Sequence, residues 1–212
     1  METTMSKPRK DNEGIDSSRR ALLKLTVTGF LVGQVAPFIP RLAAAQAAAA
    51  KSGKKILIVY YSRTGNTREV ANQIHQLIGG DIVAIETVNP YPSDYRETTR
   101  QAKQELESGY RPPIKTKIPD LASYDLVFVG SPNWWGTVSM PVMTFLSEND
   151  LSGKTLAPFM THGGSALGRS RADIAKLCPG ATILDGLAIP GTSAKTSQKD
   201  VVAWLQAMGM QA

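Results

Sequence analysis

From Lys54 onward five apolar runs alternate with five helical stripes, and few folds accommodate that rhythm. The first run, Ile56 to Tyr61 within a strand expected over 54–61, is continuous rather than alternating, which marks a strand covered on both faces. Thr67 to Ile78 then places Val70, Ile74, Leu77 and Ile78 on one stripe, and Gly79-Gly80 stops the helix. The pattern continues with a strand over 81–88, a turn at Asn89-Pro90-Tyr91-Pro92 and a polar helix over 94–108 closed by Gly109. Residues 110–123 contain three prolines and read as an irregular crossover. Strands follow at 125–130, 154–161 and 181–189, and helices at 140–148, 169–177 and 196–208. Strict alternation of this kind predicts an α/β fold, a parallel sheet with helices on both faces. Right-handed crossovers make it doubly wound, with any ligand beyond the strands' carboxyl ends, where strand order reverses.

The first 53 residues stand outside this rhythm. Ser18-Arg19-Arg20-Ala21-Leu22-Leu23-Lys24 is a twin-arginine pattern, followed by a weakly apolar stretch and the small-residue run Ala43-Ala44-Ala45. The apolar part, Leu25 to Ile39, is shorter than the roughly 20 residues a spanning helix needs, and it carries Gln34 and Pro37. The expectation is a signal peptide over 1–45, cleavage between Ala45 and Ala50, a linker over 46–53 and one domain over 54–212. The working protein would be exported to the periplasm, with no stable membrane anchor after cleavage.

That division changes the charge. Seven of the 24 Lys+Arg and four of the 18 Asp+Glu belong to residues 1–45, so the remainder carries a net charge near +3 rather than +6. Along the sequence no run of Lys and Arg interleaved with aromatics remains, so a nucleic-acid partner is not expected. The lone Cys178 excludes an internal disulfide and reads as a small buried residue. His75 and His162 have no Cys or His cluster around them, so no metal site is expected.

The turns after strands one, three and four carry the unusual residues. Ser62-Arg63-Thr64-Gly65-Asn66-Thr67 joins a strand to a helix N-terminus, whose free N–H groups and dipole favour a phosphate. The hydroxyls of Ser62, Thr64 and Thr67 and the Asn66 amide add donors, and Gly65 lets the backbone approach. Arg63 either pairs with the phosphate or points into solvent; the loop needs no cation, which favours solvent. After strand three come Ser131, Pro132, Asn133, Trp134, Trp135, Gly136 and Thr137. Two adjacent tryptophans on a short loop cannot both enter the core, so at least one offers a flat face for stacking on a planar heterocycle. After strand four, Thr161, His162, Gly163, Gly164, Ser165 and Gly168 can bring backbone groups against a ring's polar edge.

Taken in this order, each after a strand, the three motifs resemble those of the flavodoxin family, of the short-chain type. The resemblance covers about Lys54 to Met208. It implies a flavodoxin-like five-stranded sheet of order 2-1-3-4-5 and a non-covalent flavin mononucleotide (FMN). The phosphate would lie at Ser62 to Thr67, with the isoalloxazine between the loops at 131–136 and 161–168. Trp135 before Gly136 matches the family's aromatic-glycine pair, where a peptide flip supports one-electron chemistry. One departure bears on function. Many flavodoxins crowd the flavin with acids, but no Asp or Glu occurs in 131–137 or 161–170, and His162 and Arg169 stand in the second region. Such a flavin should accept electrons more readily than one in an acidic flavodoxin.

Other motifs fail on context. Gly153-Lys154-Thr155 precedes a strand, whereas a P-loop lysine opens a helix, and Leu167 stands where a nucleophile elbow needs glycine. Tyr60, Tyr61, Tyr91, Tyr95 and Tyr110 are candidates to line a substrate mouth, with Tyr60 rather expected in the core and Tyr91 and Tyr95 rather packing the crossover. Three functions fit: an FMN electron carrier serving a redox partner protein, an FMN-dependent reductase of a quinone-like small molecule, or a flavin-free phosphate-binding scaffold or hydrolase using Ser165 and His162. The paired tryptophans disfavour the third. Flavin supplies its own redox chemistry, so no catalytic side chain is assigned. Export away from the soluble nicotinamide pool favours the carrier.

Overall fold

A computed structural model describes residues 53–212; the expected signal segment and all of the linker but residue 53 lie outside the described residues. The sheet is built on β1 (Ile56–Tyr60), every residue of which is buried. It pairs in parallel with β2 (Asp81–Ala84) on one side and β3 (Leu126–Trp134) on the other. Beyond β3 lies β5 (Thr155–His162), whose other edge carries β6 (Thr182–Ile183) and then β7 (Leu187–Pro190), all parallel. The order is thus the expected 2-1-3-4-5, with β5 in fourth place and β6 and β7 sharing the fifth.

The fifth strand is broken where a continuous one was expected over 181–189. Leu184 donates to the Leu156 carbonyl, so alternate residues of β5 face this edge, and two residues on stands Pro158. Proline has no N–H to offer, and the ladder lapses there until Phe159 meets Leu187. The second strand is likewise shorter than 81–88. After Ala84 the chain leaves the sheet, and Lys115 and Val88 exchange backbone bonds with Glu86 and Pro113 across the crossover.

Side-chain alternation along the buried strands feeds two cores. Ile58, Phe128 and Phe159 face helices α1 (Asn66–Ile78) and α5 (Gln198–Ala207), meeting Val70, Ile74, Val201 and Leu205. Leu57, Val59, Val127 and Val129 face the other layer. There α2 (Tyr95–Ser108), α3 (Met140–Glu148) and α4 (Ser170–Leu177) contribute Leu106, Phe145, Leu146 and Ile174. Helix α2 begins where expected because the Asp94 carboxylate accepts the Glu97 N–H at 2.9 Å, and ends at Gly109 in the left-handed region. Lys154 serves structure: its ammonium is buried on the carbonyls of Ala122 and Tyr124. Cys178 is buried too, and burial lifts its thiol to about 11. Among the described residues no helix is long and apolar enough to cross a membrane.

Candidate functional site

The carboxyl ends of β1, β3 and β5 open onto a cavity of about 700 Å³, within the range of roughly 300–1,000 Å³ typical of small-molecule sites. It is lined by Arg63, Thr64, Asn66 and Thr67, by residues 132–135 and by residues 161–164. The three loops picked from sequence therefore converge.

In the first loop Gly65 takes φ 92°, and its N–H donates to the Ser62 hydroxyl oxygen at 3.1 Å. Ser62 thereby shapes the turn, and its own hydroxyl proton stays available. No side chain caps α1, which leaves first-turn N–H groups directed outward from the helix end. Thr67 is buried, and its hydroxyl lies 2.8 Å from that of Thr161, tying the first loop to the end of β5. Arg63 does not point freely into solvent, although it lines the cavity. Its guanidinium crosses to the turn after β2 and donates to the carbonyls of Ser93 at 3.0 Å and Pro92 at 3.4 Å. That proline-rich turn lies off the sheet, so its carbonyls are open to such a donor.

The second loop is a hairpin. Strand β3 runs on to Trp134, turns at Trp135-Gly136 and returns as β4 (Thr137–Val138), pairing Asn133 with Val138 and Trp134 with Thr137. Both turn residues have positive φ, 54° and 82°, as a type I′ turn requires. The two tryptophans part company. Trp134 packs edge-on against Tyr91 and Tyr61, with ring centroids 4.9 Å and 5.7 Å away. Trp135 stays 46% exposed, its indole N–H donating to the Thr99 carbonyl at 3.0 Å. Lys103 lies 5.3 Å from the centre of its ring.

In the third loop the Gly164 N–H donates to His162 Nδ1 at 3.0 Å, which leaves Nε2 to carry the ring's proton. Ala166 adopts φ 48°, and its carbonyl accepts the Asn133 amide at 2.7 Å. The other amide atom, Asn133 Oδ1, is buried without a partner. Gly168 abuts the hairpin so closely that a Cβ would stand 2.2 Å from the Gly136 carbonyl oxygen. That oxygen accepts the Arg169 N–H at 2.7 Å. Asp173 gathers the Arg169 guanidinium at 2.9 Å and the Thr137 hydroxyl at 2.7 Å.

Six of the expected residues, Ser62, Gly65, Ser131, Gly136, Ser165 and Gly168, do not line the cavity. Ser131 is buried beneath it, its hydroxyl accepting the Ser139 N–H at 2.8 Å where α3 begins. Gly136 and Gly168 are the contact between two loops. Ser165 is exposed and makes no hydrogen bond to His162 among the described residues, so no nucleophile–base pair is assembled.

Two walls escaped the sequence reading. Tyr95, Thr98, Thr99 and Ala102 of α2 form one, and Pro190, Gly191 and Thr192 the other. Tyr95 does not pack the crossover but is 71% exposed, because positions 95, 99 and 102 form the stripe of α2 that faces the cavity. The rule applied to strands one, three and four, extended to the fifth, leads to Pro190-Gly191-Thr192. Below the site Tyr91 donates to the buried Glu105 carboxylate, which also accepts Gln101 Nε2 at 2.8 Å. Burial pushes Tyr61 up to about 12, against the pull of Arg63, and burial followed by the bond to Glu105 pushes Tyr91 higher. No carboxylate lines the cavity, and among the described residues no cluster of His, Cys, Asp or Glu could hold a metal ion.

A family model described as Flavodoxin matches residues 55–208. The crystal structure of a candidate flavoprotein from Bacteroides eggerthii is 33% identical, with TM-score 0.66, and the match covers 74% of this chain and 99% of that one. A flavoprotein from Lactobacillus acidophilus, solved in complex with FMN, shares the fold at 24% identity and TM-score 0.57, over 68% of this chain and 97% of its own. A curated protein of Azorhizobium caulinodans, an NAD(P)H dehydrogenase (quinone), is 29% identical over 123 residues. That match spans 52% of this chain and 59% of the relative's length.

Proposed function

The chain belongs to the flavodoxin family, and from that premise we propose that it is an FMN-binding electron carrier working on the export side of the bacterial inner membrane. The observation that carries the reading is the single cavity joining a donor-rich helix N-terminus to an aromatic and glycine-lined slot. The residues fit the cofactor at both ends. A phosphate needs N–H and O–H donors, and the first turn of α1 with Thr64 and Asn66 supplies them without a cation. The ring end offers Trp135 as an exposed flat face and Asn133 Oδ1 as a buried acceptor lacking a donor, which suits the imide N–H of an isoalloxazine. Gly163 and Gly164 have nothing within 4 Å of where a Cβ would stand, so the backbone lies open to a ring edge. When bound, FMN supplies the electron-accepting chemistry, and the chain positions it and shields it from water.

Purification with a flavin spectrum and one FMN per chain is the expected outcome, followed by dithionite titration through a one-electron-reduced form absorbing at long wavelength. A colourless protein that takes up no added FMN overturns the reading. The titration also reads the potential. With no carboxylate lining the cavity, the second couple should lie above that of an acidic flavodoxin measured alongside. The twin-arginine pattern over Ser18–Lys24 supports export, tested by recovery of the processed chain from the periplasm and its loss in an Arg19→Lys/Arg20→Lys variant.

The second reading, an FMN-dependent quinone reductase, is favoured by the name of the Azorhizobium relative. It predicts oxidation of NAD(P)H by a quinone in the presence of the loaded chain, and direct two-electron bleaching in the titration.

A further inference from the structure

Charge is segregated about the cavity in a way that neither the fold nor the cofactor requires. The segments that form and flank the cavity walls, 62–67, 94–103, 131–137, 161–170 and 190–197, hold Arg63, Arg96, Arg100, Lys103, Arg169 and Lys195 against two acids, Asp94 and Glu97. The remainder of 54–212 holds ten Lys and Arg against twelve Asp and Glu, so the sign reverses away from the site. Arg169 is neutralised by Asp173 and Arg63 is turned onto the Pro92–Ser93 carbonyls. What stays open is on α2. Arg96, Arg100 and Lys103 follow at i, i+4 and i+7, all exposed, a stripe about 10 Å long. Arg96 and Arg100 form no ion pair among the described residues, and Lys103 meets only the exposed Glu107, at 3.7 Å.

This stripe borders the two most exposed aromatic residues of the cavity. Tyr95 begins the same helix, and Trp135 is fastened to it through the Thr99 carbonyl, with Lys103 beside its ring. An apolar aromatic centre with a charged rim is the make-up of a protein interface. None of the three cations lines the cavity; they stand beside it, on the exposed shoulder of α2. A small anion is held best by concave donors, and here those lie inside, in the Ser62–Thr67 loop. We propose that this shoulder is the docking surface for an acidic redox protein, with Tyr95 and Trp135 at its centre and Arg96, Arg100 and Lys103 along its rim. The opposite charge on the rest of the molecule gives the chain a dipole that turns the cavity toward such a partner as it approaches.

The proposal rests on the FMN reading for what crosses the interface, but the docking itself can be measured without flavin. The probe is cytochrome c in two forms, native and basic, or succinylated and acidic, with one haem and opposite surface charge. Binding of each to the full chain is followed by calorimetry with and without FMN. Electron transfer is followed by stopped flow after dithionite reduction, each reduced flavin giving its two electrons to two ferric haems, which become ferrous while the flavin's protons pass to buffer. Succinylated cytochrome should bind more tightly and react at least about tenfold faster at low salt, the gain collapsing as the screening length falls to roughly 3 Å near 1 M salt. Arg96→Glu/Arg100→Glu should abolish that gain, and Lys115→Glu/Lys117→Glu, an equal charge change on the crossover, should leave it.

Equal rates for the two forms, or insensitivity to the α2 pair, overturns the proposal. So does loss of NADPH oxidation or of anthraquinone sulfonate reduction in Arg96→Glu/Arg100→Glu with the cytochrome rates unchanged, since the stripe then serves a small anion. A chain that binds no FMN yet prefers succinylated cytochrome keeps the docking surface and sinks only the flavin reading.

Discussion

At Trp135 the demands of the turn and the proposed stacking on FMN conflict. A type I′ turn wants Asn, Asp or Gly at its first central position, and a bulky aromatic at φ 54° there costs on the order of 1–3 kcal/mol. The strain is held by the indole bond to Thr99, the Asn133–Val138 pairing and the Gly136–Arg169 bond. Two substitutions separate the roles. Trp135→Asn suits the turn, so the flavin-free chain should become more resistant to denaturant, while FMN binding weakens by roughly 1–3 kcal/mol, the worth of one aromatic–base stack. Trp135→Ala should lose the same affinity without gaining stability. An unchanged FMN dissociation constant in both, measured by fluorescence titration, would return Trp135 to a structural role. Its neighbour could not have been told apart by spacing alone. Trp134 is held in the aromatic cluster with Tyr61 and Tyr91, a tertiary partnership that two adjacent identical letters do not reveal.

Among the elements, those governed by local rules were legible and those governed by neighbours were not. Helix α2 started after Asp94 and stopped at Gly109 because capping is written in the residues at the ends. The fifth strand broke opposite Pro158, a residue on a different strand, and β2 ended early because the crossover offered Glu86 and Val88 other partners. The β3–β4 hairpin was missed because its strand pairs with only two residues after a turn whose first position is a tryptophan. What fixes that hairpin to α4 is Asp173, which accepts from buried Thr137 and from Arg169, whose own N–H holds the Gly136 carbonyl. Asp173→Ala leaves the Thr137 hydroxyl buried without its acceptor, at about 1–3 kcal/mol, and the exposed Arg169 pair adds about 0–1 kcal/mol more. Amide hydrogen exchange should then quicken across Asn133–Val138, while Lys176→Ala, which removes only a 3.7 Å contact with Asp173, leaves it unchanged.

At the scale of the whole molecule, the site's position followed from topology, since a doubly wound sheet gathers the loops after its central strands at one end. The walls contributed by α2 and by residues 190–192 were legible only in part, because a helix's cavity-facing stripe depends on how that helix is laid across the sheet. The same layering buries several weak acids in their neutral forms, and that sets how the fold responds to alkali. Burial raises Tyr61 from 10.0 to about 12, and burial with a 2.5 Å bond to Asp81 raises Tyr124 to about 12. Tyr91 is raised further by burial and Glu105, and burial takes Cys178 from 9.0 to about 11. In each case the folded chain holds its proton more tightly than the unfolded chain does. The stabilisation is therefore complete below the unfolded pKa and lost as pH climbs through the folded one. Denaturant midpoints should be level from pH 7 to 9, fall gently as unfolding releases the Cys178 proton, and fall steeply between 10 and 12 as the tyrosines follow. Tyrosinate absorbance should rise together with unfolding rather than ahead of it. Tyr124→Phe should flatten the steep part, since it removes one of the groups whose ionisation the folded state resists, although it also leaves Asp81 without its phenol partner. A midpoint that declined equally in wild type and Tyr124→Phe would mean that the alkaline loss comes from general charge repulsion and not from these buried hydroxyls.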